Sequence, residues 1–223
     1  KNEKIKAYEF GDIHDKNRTK AFIDKLLIQQ IEVYEKDDKF IVPVNQLQSR
    51  MVKNFFETHD KYLDSVFYDA SAWSVSNFYN MKHKAVRSFD VNKLTRVIND
   101  MQVDNPKVSK SNYAYILDWD DYNTPAALNH LHKNGVISYS AYKPFSIKVN
   151  EDDDVKNFNR GTVMVPVSKQ KVDSEKLFET VKSTQEKFNV PVFSTETGYS
   201  SSGIDLGSNF FRINKKVKVA MLI

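Results

Sequence analysis

The chain opens with a short apolar-rich run, Ile5 to Phe10, and continues into Asn17 to Gln30, where Phe22, Ile23, Leu26 and Leu27 fall on one helical face. A strand followed by an amphipathic helix is predicted. Ile31 to Tyr34 and Phe40 to Val44 read as two further strands. Leu47, Met51, Val52, Phe55 and Phe56 then recur at the spacing of a second buried helical stripe. With Val66 to Tyr68 as the closing strand, the order is β-α-β-β-α-β.

The same order recurs downstream. Tyr113 to Trp119 reads as a strand, and Asn123-Thr124-Pro125 supplies an N-cap and a first-turn proline for a helix over Ala126 to Lys133, ended by Gly135. Val136 to Tyr139 and Thr162 to Val167 are predicted strands. Asp173 to Phe188 is a helix with Leu177, Phe178, Val181 and Phe188 on one face, and Val190 to Ser194 is the last strand. Particular residues repeat as well: Ala7-Tyr8 matches Ala114-Tyr115, Tyr34 falls where Tyr139 does, and Val42-Pro43-Val44 returns as Val165-Pro166-Val167. Phe55-Phe56-Glu57 echoes Leu177-Phe178-Glu179 more loosely.

Two copies are too few for a solenoid, so the expected fold class is α/β, with duplicated β-α-β-β-α-β units packed as a pseudo-symmetric pair. The first repeat spans 1–73 and the second 112–209. Residues 74–111 form a helical connector, in which Asp90 is the candidate N-cap and Val91, Leu94, Val97, Ile98 and Met101 lie on one side. Residues 210–223 are a terminal strand or the start of a following domain. A cleft between the repeats is the default place for a ligand.

Composition narrows the chemistry more than the fold. Of 223 residues 40% are hydrophobic and 13% aromatic, which excludes a disordered chain, and six Gly with six Pro exclude a collagen-like one. The 33 basic and 29 acidic residues give a net charge of +4 without the dense basic stripe of a nucleic-acid-binding surface, so no nucleic-acid partner is expected. There is no run of 18 apolar residues, hence no expected transmembrane segment. The opening Lys-Asn-Glu-Lys, without Met or an apolar signal core, reads as a piece of a longer polypeptide. The absence of cysteine excludes thiol nucleophiles, iron–sulfur clusters, zinc knuckles and disulfides, and leaves the compartment open.

Five histidines, His14, His59, His83, His130 and His132, offer no metal-binding spacing. His130 and His132, two apart on a helix, point about 200° from each other. The acidic Glu151 to Asp154 lacks the alternation and the glycine of a calcium loop and reads as a solvated surface loop. Gly198-Tyr199-Ser200-Ser201-Ser202-Gly203 spaces its glycines like a phosphate loop but lacks the following Lys-Ser/Thr. It reads as a loop, with an anion cradle of amides and hydroxyls as the alternative. The stretch from Gly198 to Ser208 is therefore open as to role. Carboxylates at strand ends are the better candidates. Asp118 beside Trp119, and Asp69 with Ser71 and Trp73, occupy equivalent ends in the two copies, where α/β sheets bind ligands. Together with Asp205 they are the candidate lining of a polar cleft for a sugar or peptide, through hydrogen bonding and stacking. The competing expectation is structural: such aspartates cap turns, and tryptophans anchor cores.

Several strings point to one family: Phe67-Tyr68-Asp69-Ala70-Ser71-Ala72-Trp73, then Arg160-Gly161-Thr162 before Val163-Met164-Val165-Pro166, and Gly203-Ile204-Asp205-Leu206-Gly207-Ser208-Asn209 with Phe211-Arg212. They resemble the region that follows the catalytic domain in large zinc-carboxypeptidase-like proteins of Bacteroidetes-type bacteria. The resemblance implies an upstream metallocarboxypeptidase domain and a downstream class I glutamine-amidotransferase-like domain, whose first strand the terminal Val217 to Ile223 resembles. It also implies a secreted or periplasmic parent protein, with any signal peptide upstream, and zinc in that upstream domain. This chain carries no His-x-x-Glu pair and no Cys nucleophile, so no catalytic residue, cofactor or metal ligand transfers to it.

The resulting expectation is a non-catalytic accessory or substrate-positioning domain, whose partners are the other domains of the polypeptide and a peptide or glycan substrate. Its alternatives are a stand-alone ligand-binding module with a cleft between the repeats, and a hydrolase or transferase using Asp69, Asp118 or Asp205 as general acid and base.

Overall fold

A computed structural model describes residues 5–58, 74–97, 101, 103–150 and 154–216. The chain divides into two units, Lys1–Val103 and Asp104–Ile223, of mixed α/β structure with antiparallel sheets.

In the first unit, β1 (Ala7–Phe10), α1 (Lys16–Ile28), β2 (Val33–Lys36), β3 (Lys39–Pro43) and α2 (Ser49–Phe56) are followed by the single-turn α3 (Val75–Phe78), β4 (His83–Val86) and β5 (Thr95–Val97). The sheet order is β4-β1-β3-β2-β5. Asp15 starts α1: its carboxylate accepts from the Arg18 amide at 2.8 Å and pairs with the Arg18 guanidinium at 3.0 Å. Asp37 and Asp38, both in the left-handed region, close the two-residue turn between β2 and β3, and this turn geometry fits the twist of the flanking strands. Alternation along the strands puts Tyr8, Phe10, Phe40 and Val42 into one core with Phe22, Ile23 and Leu26 of α1 and Val52, Phe55 and Phe56 of α2. The Tyr8 ring stacks on Phe56 at 4.9 Å.

One expectation for this unit is corrected, and another falls on residues that are not described. The strand on the open side of β1 is His83–Val86; Val66 to Tyr68 lies outside the described residues. No hydrophobic run announced β4, because it is an edge strand whose Lys84 and Ala85 are exposed. The helix expected from Asp90 to Met101 is instead one 3-10 turn, Val91–Lys93, capped by Asp90 and followed by β5. Thr95, Arg96 and Val97 pair with Glu35, Tyr34 and Val33. A free sheet edge beside β2 outweighs a weak helical periodicity whose first apolar residue, Val91, is exposed. Two strands of the stretch expected as a helical connector, β4 and β5, thus form the edges of the first sheet.

The second unit contains β6 (Ala114–Leu117), α4 (Thr124–Lys133), β7 (Tyr139–Ala141), β8 (Phe145–Val149), β9 (Asp154–Phe158), β10 (Val163–Pro166), α5 (Ser174–Phe188), β11 (Val192–Thr195), β12 (Ser202–Gly203) and β13 (Phe211–Ile213). Its main sheet has the order β11-β6-β10-β7-β13, and a smaller one has the order β12-β8-β9. One face of the main sheet, with Tyr115, Leu117, Val163 and Val165, packs on Ala127 and Leu131 of α4 and Leu177 and Val181 of α5. The other face, with Ala114, Ile116, Ala141 and Met164, packs on Phe145, Ile147, Val149 and Phe158 of the smaller sheet. The unit is therefore three layers deep.

Asn123 precedes α4 as expected, yet its side chain does not cap the helix; it donates to the Phe188 carbonyl at 2.9 Å. The acidic stretch falls between β8 and β9 in the chain. Asp154 is already in β9 opposite Val149, and Glu151 to Asp153 lie outside the described residues. Phe211–Ile213 pairs with β7, so this part of the expected tail belongs to the second sheet, while Val217 to Ile223 lies outside the described residues.

Candidate functional site

The stretch after β11 folds back on itself and lines a concavity of the second unit. Leu206 anchors it by inserting into the core, at 3% exposure, and its amide donates to the Gly198 carbonyl at 3.0 Å. Ser200 closes the inner turn, its hydroxyl donating to the Ile204 carbonyl at 2.7 Å. Gly203, at φ +85, lies so close to the backbone of Pro144 that an added Cβ would stand 2.4 Å from that carbonyl oxygen. Only glycine fits there.

On the outer side a concavity of about 590 Å³ is lined by Tyr113, Glu196, Thr197, Gly198, Tyr199, Asp205, Gly207 and Ser208. Each member has a defined origin. Ser111, fully buried, donates to the Thr195 carbonyl at 2.7 Å and accepts from the amides of Tyr113 and Ala114, fixing where Tyr113 leaves β6. The Tyr113 phenol lies against Gly198, where a Cβ would meet its oxygen at 2.0 Å. Asn112 holds both oxygens of Glu196, its amide at 2.9 Å and its side chain at 3.3 Å. Asp205 accepts the Ser200 amide at 2.8 Å. Tyr199 stands at the rim, 83% exposed. The Ser208 hydroxyl is shielded from solvent and makes no hydrogen bond.

These contacts dispose of the anion-cradle alternative for Gly198 to Gly203. The Ser200 amide is taken by the Asp205 carboxylate and the Ser201 amide by the Ser146 carbonyl at 2.8 Å. The chain's own carboxylate occupies the place an incoming anion would need.

Asp118 and Trp119 lie elsewhere. They follow the last residue of β6, whereas Asp205 lines a concavity with Tyr113, which precedes the first. The two sites are separated by the length of the strand, on the order of 15 Å. Asp118 and Asp205 are therefore not brought together as an acid–base pair. Because the sheet is antiparallel, its strands share no common carboxyl end, so the rule that placed a ligand beside Asp118 does not apply. Burial raises the Asp118 carboxyl above its ordinary value, against the opposing effects of the Asp120 amide, which it accepts at 3.1 Å, and of Lys156. Trp119 covers Gly161: a Cβ there would stand 2.7 Å from the indole, and φ at this glycine is +91. Asp69, Ser71 and Trp73 lie outside the described residues.

The histidines have separate surroundings. His130 meets the Thr184 hydroxyl at 3.0 Å and His132 that of Ser138 at 2.9 Å; burial lowers both rings below the ordinary value of 6.5. His83 sits between the carbonyls of Met81 and Phe56. Among the described residues no three His, Asp or Glu side chains form a metal-holding group, and His59 is not among them. No helix of the described residues is long and apolar enough to cross a membrane.

The first unit has its own concavity of about 590 Å³ near the start of α1, and its charged groups largely satisfy each other. Arg18 pairs with Asp12 and Asp15, Lys84 with Glu9 at 2.8 Å, and Lys39 donates to the Gly11 carbonyl at 3.0 Å. The loop of the second unit is the stronger candidate, because its carboxylates have no cationic partner in the lining. Sequence reasoning named Asp205 and the loop that contains Tyr199 but missed Tyr113 and Glu196, which lie outside that loop and carry no motif. In comparisons with protein families, with curated proteins and with solved structures, the chain matches none.

Proposed function

We propose that this chain is a non-catalytic recognition region of a larger, exported zinc-metallocarboxypeptidase-like protein, positioning a peptide or glycan substrate for an upstream zinc domain. The observation that carries it is the Tyr113–Ser208 concavity. An anchored loop holds two aromatic rings and two carboxylates around an open volume, the mixture of flat apolar surface and few fixed polar groups that suits a polar ligand. The resemblance of Arg160 to Pro166 and of Gly203 to Arg212 to the region after such catalytic domains supports the assignment to a parent protein. The second of these strings contains the loop's own Asp205, Leu206 and Ser208.

The proposal includes an internal duplication, and register supports it. Ala7 faces Pro43 and Tyr8 faces Val42 in one sheet; Ala114 faces Pro166 and Tyr115 faces Val165 in the other. Tyr34 faces Ile41 as Tyr139 faces Met164. A glutamine after the proline strand makes the same clasp twice. Gln46 binds Pro43 and both backbone groups of Glu32; Gln170 binds Pro166 and both backbone groups of Ile137. The loop bearing the concavity would then be an elaboration of the second copy.

The test is a peptide and glycan array probed with the whole chain and with Tyr199→Ala, whose exposed side chain is dispensable for folding. Saturable binding lost in the variant is the expected result. Binding that survives in the variant, or its absence across both arrays, would overturn the assignment.

A further inference from the structure

Resting on the ligand-binding assignment above, we infer that the concavity takes a positively charged organic group, an ammonium or guanidinium of the kind carried by lysine and arginine side chains. Three features lead there. Glu196 and Asp205 both line the volume, and no Lys, Arg or His does so among the described residues. Among the described residues neither carboxylate forms an ion pair: Glu196 is held by the uncharged Asn112, and Asp205 by the Ser200 amide. Such bonds fix the direction of a carboxylate while leaving it charged and with acceptor sites to spare.

Tyr113 and Tyr199 add ring faces, and a cation over a phenol ring is attracted by its quadrupole where a neutral group is not. Elsewhere in this unit the same chemistry is already realised: the Lys143 ammonium lies 3.7 Å from the Phe210 ring centre and the Arg212 guanidinium 4.8 Å from that of Tyr142. At the concavity the rings and carboxylates are present, and among the described residues no cation of the chain lines it.

An anion is disfavoured by the two carboxylates. A neutral sugar could stack on the tyrosines but would gain nothing from the missing countercharge. The cationic group can belong to a peptide side chain or to a free amine, and the test separates the two.

The experiment follows backbone amide resonances of the whole chain during titration with four probes. These are N-acetyl-lysine methylamide, N-acetyl-arginine methylamide, the uncharged isostere N-acetyl-norleucine methylamide, and spermidine as a free amine. Expected are saturable shifts at Gly198, Tyr199 and Gly207 with the cationic probes, about tenfold weaker binding for norleucine, and a similar loss in Tyr199→Ala and in Glu196→Gln. A stronger response to the two amino-acid probes than to spermidine identifies a peptide side chain as the source; the reverse identifies a free amine.

Equal binding of norleucine, or affinity unchanged in Glu196→Gln, would overturn the inference. Shifts at the loop with neutral oligosaccharide alone would also overturn it, while leaving the recognition role standing. No loop response to any of these ligands would remove both. Asp205→Asn, which keeps an acceptor for the Ser200 amide, provides a second variant if Glu196→Gln fails to fold.

Discussion

Individual side chains in the second unit are set by their immediate surroundings more than by their chemical type. Asp118 is a carboxyl that burial keeps protonated to higher pH than in the unfolded chain. Between its ordinary value of 3.8 and its raised folded value, the native state binds more protons than the unfolded one, so this group's contribution to stability falls as pH rises through that window. Asp118→Asn keeps an acceptor for the Asp120 amide and removes the cost of the buried charge. The variant is expected to melt above the wild type near neutral pH, with the difference vanishing below about pH 3.8. Melting temperatures of both proteins across that range check this; a variant less stable at neutral pH would mean that the bond from the Asp120 amide outweighs burial. His130 and His132 act in the opposite sense. Their folded values are lowered, so the unfolded state takes up protons first and stability falls as pH drops below 6.5.

At the scale of elements, short strands are tied in place by side-chain clasps as well as by ladders. Gln46 and Gln170 each bridge the end of a proline-bearing strand to the backbone just before its neighbour, at distances of 2.7 to 3.3 Å for the first and 2.8 Å throughout for the second. Removing either leaves a part-buried amide and carbonyls without their partners, which costs about 1 to 3 kcal/mol. Gln46→Ala and Gln170→Ala are therefore expected to destabilise by similar amounts, each through its own unit, as measured by denaturant unfolding. A large effect at one position with none at the other would count against the two clasps being copies of one ancestral feature. Neither glutamine attracted notice in the sequence, because a clasp has no periodicity: its partners lie 14 and 33 residues away in the chain.

For the molecule as a whole, each unit has a hydrophobic core of its own, Phe22, Phe56 and their neighbours in one and the two faces around β6 in the other. The proposed role puts any zinc chemistry in an upstream domain, so on that proposal metal-stripped protein titrated with zinc is expected to show no change in melting temperature. A native-state ligand would raise it with the logarithm of its excess over Kd. A saturable rise at micromolar zinc would revive a metallohydrolase and sink the accessory role.

Strands β8 and β9 were not foreseen. The helices α1, α2, α4 and α5 and the strands β1, β2, β3, β6, β10 and β11 were legible from the chain alone, because buried faces impose periods of two and 3.6 on the residues that build them. That is why Tyr8, Phe10, Phe22 and Phe56, or Tyr115, Leu117, Leu177 and Val181, could be assigned to cores before any fold was known. The lack of cysteine, and with it of thiol chemistry, was equally plain. Edge strands were not legible. His83–Val86 and Thr95–Val97 are stabilised by backbone groups offered by a neighbouring strand, and a half-exposed edge writes almost no pattern into its own residues. The concavity was legible only in part. Asp205 and the glycine-rich loop stood out locally, but Tyr113, Glu196 and Tyr199 face a common space only because β11 runs antiparallel beside β6 and Leu206 pins the returning chain into the core. Tertiary structure also separated Asp118 from Asp205: one follows the last residue of β6, the other lines a concavity beside the opposite end of that strand, and two carboxylates so far apart cannot share a proton.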